Sequence, residues 1–484
     1  MTGGFVAFYE TKLGRCPRLP IQFKKKTTWK DGSIMGRLFG TDGIRGIANK
    51  DLTCELATQL GRAAAKVLTN KSNRHPRVLI GKDTRLSSDM LETAMAAGLC
   101  SIGASVVTLG VVPTPAVAYL VEKYKADAGV MISASHNSFE YNGIKIFSGN
   151  GYKLPDDLEE KIEDIILGKE DISHEFPAED GIGTVSRAEN AVRDYIDHVK
   201  NTVHFSLDGM KIAIDCANGS SSVTAQTLFT ELGAQVVMLH DQPDGVNINR
   251  DCGSTHMESL MAYVKEHDMD AGVAFDGDAD RCLMVDEQGN FVDGDFIMAI
   301  CAMDMKSRGK LAGNAVVGTI MTNLGFQRFC EENGMKFEAT KVGDRYVLEE
   351  MLLDGYNFGG EQSGHVIFRD FATTGDGQLT ACQLLSLMRR REAKLSSLAQ
   401  LMQRFPQTMV NIQVSPEGKL AFYTDHKVKA AIDKASETLG RDGRIIVRPS
   451  GTEPLLRVMV EGKDEQLIQK LAQDVADVIK TELV

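Results

Sequence analysis

The sequence predicts an α/β fold: three duplicated α/β domains with mainly parallel sheets, plus a smaller C-terminal α+β domain. Three features predict it. One strand-and-loop unit recurs along the chain, apolar runs alternate with helical stretches, and the periodicity changes near residue 407. At 484 residues the chain is also too long for a single hydrophobic core.

The recurring unit is clearest in two places. Ala126-Asp127-Ala128-Gly129-Val130 leads into Ile132-Ser133-Ala134-Ser135-His136. Met269-Asp270-Ala271-Gly272-Val273 leads at the same offset into Phe275-Asp276-Gly277-Asp278-Ala279-Asp280. Upstream of each, an apolar run ends in polar residues, at 78–83 and 212–219, and further apolar runs lie at 106–109 and 236–239. A weaker third copy opens at 316–319, continues at 337–340 and closes at 358–363. Repeats of this length indicate duplicated α/β units, since solenoid repeats are shorter. Parallel sheets bind ligands beyond the carboxyl ends of their strands, which puts the Ser135, Asp276 and Glu361 loops on comparable rims. In the tail, 408–415 alternates and the runs at 445–447 and 455–460 bracket a turn. Leu467, Ile468, Leu471, Val475, Val478 and Ile479 then form one stripe of a final helix. The expected division is an unstructured extension over 1–34, α/β domains over 35–195, 196–297 and 298–406, and the α+β domain over 407–484.

Composition narrows the functional classes. Hydrophobic content of 43% and charged content of 25% are ordinary for a globular enzyme. With 54 Lys+Arg against 66 Asp+Glu, the net charge of −12 argues against a nucleic-acid partner. A local field in a cleft can still draw an anionic small molecule. The nine scattered cysteines, without a Cys-x-x-Cys pair, fit a reducing cytoplasm better than a disulfide or zinc scaffold. No apolar run reaches the roughly 18–20 residues of a membrane span, so no membrane partner is expected. The first 34 residues carry Arg15, Arg18 and Lys24-Lys25-Lys26 without an apolar stretch, which argues against a secretory signal.

Four loops carry chemistry. Ser135, in Ser133-Ala134-Ser135-His136-Asn137-Ser138, is a serine at a strand end beside a histidine, open to a covalent nucleophile or to a plain polar turn. Asp276, Asp278 and Asp280 alternate along a short loop, where clustered acids repel one another without a cation. Mg²⁺ suits them better than an EF-hand Ca²⁺ site, whose sixth position needs a glycine and here is Arg281. Gly359-Gly360-Glu361-Gln362-Ser363-Gly364-His365 suits a polyol, because Glu361 can accept from two hydroxyls while Ser363 donates or accepts. Arg448-Pro449-Ser450-Gly451-Thr452-Glu453-Pro454, with Arg457 beyond, has the chemistry of a phosphate cradle on a hairpin turn. The glycine-rich run from Gly40 to Gly46 lacks the Lys-Ser/Thr ending of a nucleotide P-loop.

In this order the four loops resemble the α-D-phosphohexomutase superfamily, from about Arg37 to the C-terminus. The stretches at 39–46, 249–256 and 373–377, with Ala279, resemble its amino-sugar branch in particular. The resemblance implies four domains around a central cleft and a cytoplasmic isomerase, monomeric or homodimeric, that interconverts glucosamine 6-phosphate and glucosamine 1-phosphate. Such an enzyme feeds UDP-N-acetylglucosamine and cell-wall precursor synthesis. It implies a phosphoserine at Ser135, glucosamine 1,6-bisphosphate as intermediate, and Mg²⁺ held by Asp276, Asp278, Asp280 and an oxygen on Ser135. His136, Lys145 and Arg45 would be catalytic, Lys145 as general acid/base. Arg281, Lys341, Glu361, Ser363 and His365 would bind the sugar phosphate, and Arg448, Ser450, Gly451, Thr452 and Arg457 the non-reacting phosphate. The same residues also fit a mutase for glucose or mannose phosphates, or a non-catalytic sugar-phosphate sensor. One departure stands out: position 138 is serine where the pattern usually has proline, which would restrict the unfolded loop.

Overall fold

The computed structural model describes residues 38–40, 42–68, 75–173, 176–450 and 454–484. The expected extension over 1–34 lies outside the described residues, as do Gly451 and Thr452. The chain forms two units: a larger one of Arg37–Thr322 and Phe329–Met402, and a smaller one that contains Asn323–Arg328 and Gln403–Val484.

Three sheets of the larger unit repeat one design. The first runs Ile44–Ile47, Tyr141–Ser148, Ala128–Ile132, Arg77–Lys82, Ser105–Val111, Val185–Arg187. The second runs Phe291–Val292, Cys282–Asp286, Ala271–Phe275, Lys211–Asp215, Gln235–Leu239. The third runs Lys336–Thr340, Ala315–Thr319, Phe358–Gly360, Val366–Phe368. At the heart of each, the earliest strand of a parallel trio lies between the other two. The next strand then returns antiparallel beside the third: Tyr141–Ser148, Cys282–Asp286 and Val366–Phe368. Parallel pairing therefore holds the centre of each sheet, as expected, and one reversal closes it. The Ser135, Asp276 and Glu361 loops are those three reversals, each at the carboxyl end of a parallel strand.

The central strands carry mostly apolar residues, as strands buried on both faces do. Ala128–Ile132, Ala271–Phe275 and Ala315–Thr319 are buried at every position. Helices Cys54–Leu68 and Ser88–Ser101 bury Leu60, Leu91, Met95 and Leu99 against Ile80 and Val130. They cross so closely that a Cβ on Gly98 would lie 2.2 Å from the Thr58 carbonyl oxygen. Helix Gly377–Arg391 is buried nearly all round, including Leu379, Ala381, Cys382, Leu384 and Leu385. It packs against helices Ala191–Asn201 and Gly294–Ser307 and strand Cys282–Asp286, so it is an interior helix. Its N-cap, Asp376, accepts from the Leu379 N–H and from the Tyr195 hydroxyl at 2.8 Å.

The smaller unit holds an antiparallel sheet in the order Gln407–Gln413, Leu455–Gly462, Gly443–Pro449. Helices His426–Leu439 and Glu465–Leu483 bury Val428, Leu439, Ile468, Leu471, Val475 and Ile479 against Leu456, Val458 and Val460. This is the expected α+β tail, with Leu467 and Val478 only partly buried at the edge of the stripe. No helix among the described residues is long and apolar enough to cross a membrane.

The final helix starts at Asp464, whose carboxylate accepts from the Gln466 and Leu467 N–H groups. Asp464→Ala should lower the stability of the smaller unit by about 1 kcal/mol. Urea-dependent amide exchange in Glu465–Leu483 measures this, and unchanged protection would contradict it.

Candidate active site

Two of the reversal loops meet. Ser135 is buried and sits at φ +53°, a left-handed conformation that costs a non-glycine residue roughly 1–2 kcal/mol. Its Oγ donates to Asp276 Oδ2 at 2.6 Å and lies 3.2 Å from His136 Nδ1. A Cβ on Gly277 would sit 2.6 Å from the Ser135 carbonyl oxygen, so the aspartate loop needs glycine there to approach. Asp276, Asp278 and Asp280 are all buried, with one oxygen of each within 4.8 Å of the others. Burial and the charges of Asp280 and Asp278 hold the Asp276 carboxyl well above the ordinary carboxylate range. Asp278 Oδ1 and Asp280 Oδ1 are buried without a hydrogen-bond partner. A hard divalent cation fits this set, since it would occupy the orphaned oxygens and cancel the repulsion.

Protein cations already crowd the acids. Lys145 Nζ is buried, 2.8 Å from Asp278 Oδ2, 3.0 Å from Asp42 Oδ2 and 3.4 Å from Asp280 Oδ2. Burial opposes its charge, yet these carboxylates raise its pKa well above the usual lysine value, so the amine stays an ammonium. Arg281 Nε lies 4.0 Å from both Asp276 Oδ2 and Asp280 Oδ1, and Arg45 pairs with Asp42. Burial, together with the Arg281 and Arg45 guanidiniums, pulls His136 down to about 4, so its ring is neutral near pH 7. His365 behaves oppositely. Burial opposes its charge too, but Asp280 at 3.6 Å and Asp344 at 3.4 Å raise it to about 9. Lys153 pairs with both Asp344 and Asp42. These contacts close a ring of alternating charge: Lys145, Asp280, His365, Asp344, Lys153, Asp42. Its members come from segments attached to all three sheets.

Of the residues expected to bind the sugar phosphate, Glu361 accepts from the Gly343 N–H at 3.0 Å and is near enough to Arg281 to favour its charge. Ser363 Oγ is buried without a partner. Lys341 is exposed, with its ammonium 5.6 Å from the Tyr346 ring, and joins none of the contacts above. In the smaller unit, Arg448 and Arg457 stand directly opposite on paired strands. Burial and the Arg457 charge lower the Arg448 pKa. Like charges so placed are unfavourable unless an anion bridges them. Ser450 is buried at the hairpin and its N–H donates to the Leu455 carbonyl at 2.9 Å.

Several residues here carry no motif in the sequence. Thr114 Oγ1 donates to Asp278 Oδ2 at 2.7 Å, and Lys153 and Asp344 complete the charge ring. Asp42 and Asn249 lie inside stretches already singled out, but for their branch resemblance. Arg85 had one signal: it follows the polar end of the strand at 78–83.

Lys153→Met should leave Asp42 and Asp344 mostly buried without their shared cation, and cost on the order of 3 kcal/mol. Thermal unfolding should show a clear loss, whereas an unchanged midpoint would mean the ring contributes nothing.

Comparison with known proteins identifies the family. The phosphoglucomutase/phosphomannomutase family models match as alpha/beta/alpha domain I over 36–173, domain II over 193–289, domain III over 293–405 and the C-terminal domain over 409–478. The phosphoglucosamine mutase of Caldanaerobacter subterraneus subsp. tengcongensis is 56% identical over 451 residues, 93% of this chain and 100% of that protein. A solved phosphoglucomutase/phosphomannomutase family protein from Burkholderia thailandensis shares the fold with a TM-score of 0.78 at 24% identity, over 93% of this chain and 98% of that one. An Aspergillus fumigatus N-acetylphosphoglucosamine mutase, solved with GlcNAc-6P and magnesium, does so with a TM-score of 0.65 at 16% identity, over 94% and 97%. On the domain matches and the 56% identity, the chain belongs to the phosphoglucomutase/phosphomannomutase family, in its phosphoglucosamine mutase branch.

Proposed function

We propose that this chain interconverts glucosamine 6-phosphate and glucosamine 1-phosphate in the cytoplasm, carrying the phosphoryl group on Ser135. The observation that carries the reading is the Ser135 Oγ, 2.6 Å from Asp276 Oδ2 at the edge of a three-aspartate cluster. O1 of the 6-phosphate attacks the phosphorus on Ser135, the P–Oγ bond breaks, and glucosamine 1,6-bisphosphate forms. After the sugar turns round, Ser135 Oγ takes the phosphoryl group from O6 and leaves the 1-phosphate. Asp276, Asp278 and Asp280, with an oxygen on Ser135, would hold Mg²⁺, whose charge offsets that on the transferred group.

The proton leaving the attacking hydroxyl needs an acceptor. The His136 ring is neutral, with Nδ1 3.2 Å from Oγ, and a neutral imidazole keeps one accepting nitrogen. Lys145 acts first as a fixed ammonium that stabilises the transferred charge, beside Arg45 and Arg281. Its Nζ, 2.8 Å from Asp278 Oδ2, is also the expected acid/base at the edge of the aspartate cluster. Glu361 and Ser363 hold sugar hydroxyls, with His365 and Lys341 around them. Arg448, Ser450 and Arg457, with Gly451 and Thr452, grip the phosphate that is not reacting. Each loop belongs to one of the domains proposed over 35–195, 196–297, 298–406 and 407–484.

The decisive assay compares kcat/KM on glucosamine, glucose and mannose phosphates. The highest value is expected on glucosamine phosphate; a higher one on mannose phosphate moves the reading to a hexose-phosphate mutase, and no turnover moves it to a sensor. Ser135→Ala should stay folded and lose nearly all turnover, with the phosphate found on Ser135 in the wild type by peptide mass. Arg448→Ala should lower kcat/KM by about ten- to a hundredfold in both directions, because one cradle serves both half-reactions. A defect in one direction only would reduce that loop to a turn.

A further inference from the structure

We propose that Arg85 and Asn249 form a two-sided clamp on the Ser135 loop, positioning residues that set where the Ser135 Oγ points. The proposal rests on the reading of Ser135 as phosphoryl carrier.

Arg85 has a fully buried side chain, and all five of its guanidinium N–H groups find acceptors. Nε donates to Asp83 Oδ2 at 2.8 Å. Nη2 donates to the carbonyls of Ser135 and Asn137, both at 2.9 Å. Nη1 donates to the Tyr141 carbonyl at 3.1 Å and to that of Ser138. One side chain thus holds three carbonyls of the loop and the first of the strand that follows, including that of Ser138, where the family pattern usually supplies a proline. The other end of the loop is tied through the same carboxylate. Asp83 Oδ2 accepts from Ser133 Oγ at 2.6 Å, and Ser133 Oγ accepts from the Ser135 N–H at 2.9 Å.

Asn249 approaches from the layer of the second sheet. Its Nδ2 donates to the carbonyls of Ser135 and Asn137, at 2.8 and 2.9 Å, the two already held by Arg85. Its own N–H donates to the Ala217 carbonyl at 2.9 Å. A Cβ on Gly277 would lie 2.9 Å from Asn249 Nδ2, so the amide fills the contact between the serine loop and the aspartate loop. With both carbonyls turned to the clamp, the Ser135 side chain is left facing Asp276. The left-handed φ of +53° persists because the surroundings over-determine it. Neither residue touches the reacting atoms. Lysine in place of Arg85 offers three donors from one point and cannot match five fixed acceptors.

The test uses Asn249→Ala and Arg85→Lys in the full chain; Arg85→Ala is avoided because it strands the buried Asp83 charge. Kinetics in both directions, Ser135 phosphate content by intact mass, and the unfolding midpoint are measured together. Loss of a fixed near-attack geometry should lower kcat by about ten- to a hundredfold while KM for the sugar phosphate moves less than about twofold. Phosphate content should remain, and the kcat loss should exceed any loss explained by unfolded protein at the assay temperature. Unchanged kcat in both variants, or a loss that simply follows the unfolded fraction, overturns the clamp. Failure of the carrier reading looks different: Ser135→Ala would turn over and the wild type would carry no phosphate there.

Discussion

Three carboxylates forced together out of water set the terms for this molecule. Asp276, Asp278 and Asp280 cannot all stay charged in a buried loop unless positive charge surrounds them. Lys145, Arg281 and His365 are the immediate answer. Lys145 and His365 are buried in turn and bring further partners, Asp42, Asp344 and Lys153. Such a network adds little net stability compared with an apolar core, but it is costly to break. Its value is geometric. Groups carried on three different layers have one arrangement in which every charge is answered, and that arrangement brings a serine hydroxyl against an aspartate.

The topology supplies the same service three times. A parallel trio brings one strand end to a common rim, and the returning strand fixes both ends of the loop between them. Side-chain types are then divided by loop: a serine beside a histidine on the first, a cluster of acids on the second, and a glutamate, a serine and a histidine on the third. The fourth element is of another kind, an antiparallel hairpin that places two guanidiniums side by side.

Much of this was legible in the sequence because strands buried on both faces read as continuous apolar runs. The first two copies were plain; the third was faint because Phe358–Gly360 and Val366–Phe368 are only three residues each. Residues in a motif with an unusual composition, such as Asp276-Gly277-Asp278, announced themselves. Arg85, Lys153 and Asp344 did not. A lone charge reads as solvated surface, and what makes these special is a partner far away: Lys153 and Asp344 are separated by 191 positions. Even Asn249, inside a marked stretch, gave no hint that its amide bonds a loop 114 positions earlier. Local pattern marks unusual composition; it is silent about partners brought in from far along the chain.

The pairing of Tyr141–Ser148 has a consequence for how this family can change. That strand is hydrogen-bonded on both sides, with Lys145 opposite Met131 and Ile144 opposite both Ile132 and Ile44. A one-residue slip of this strand would shift both ladders and exchange its faces, turning Lys145 away from the aspartates and an isoleucine toward them. A change in the serine loop's length must therefore be absorbed within the loop, because the strand after it is held on both sides. Val366–Phe368, by contrast, is an edge strand with one neighbour. The loop before it answers to a single ladder, so a change there disturbs one set of pairings, where a slip of Tyr141–Ser148 disturbs two.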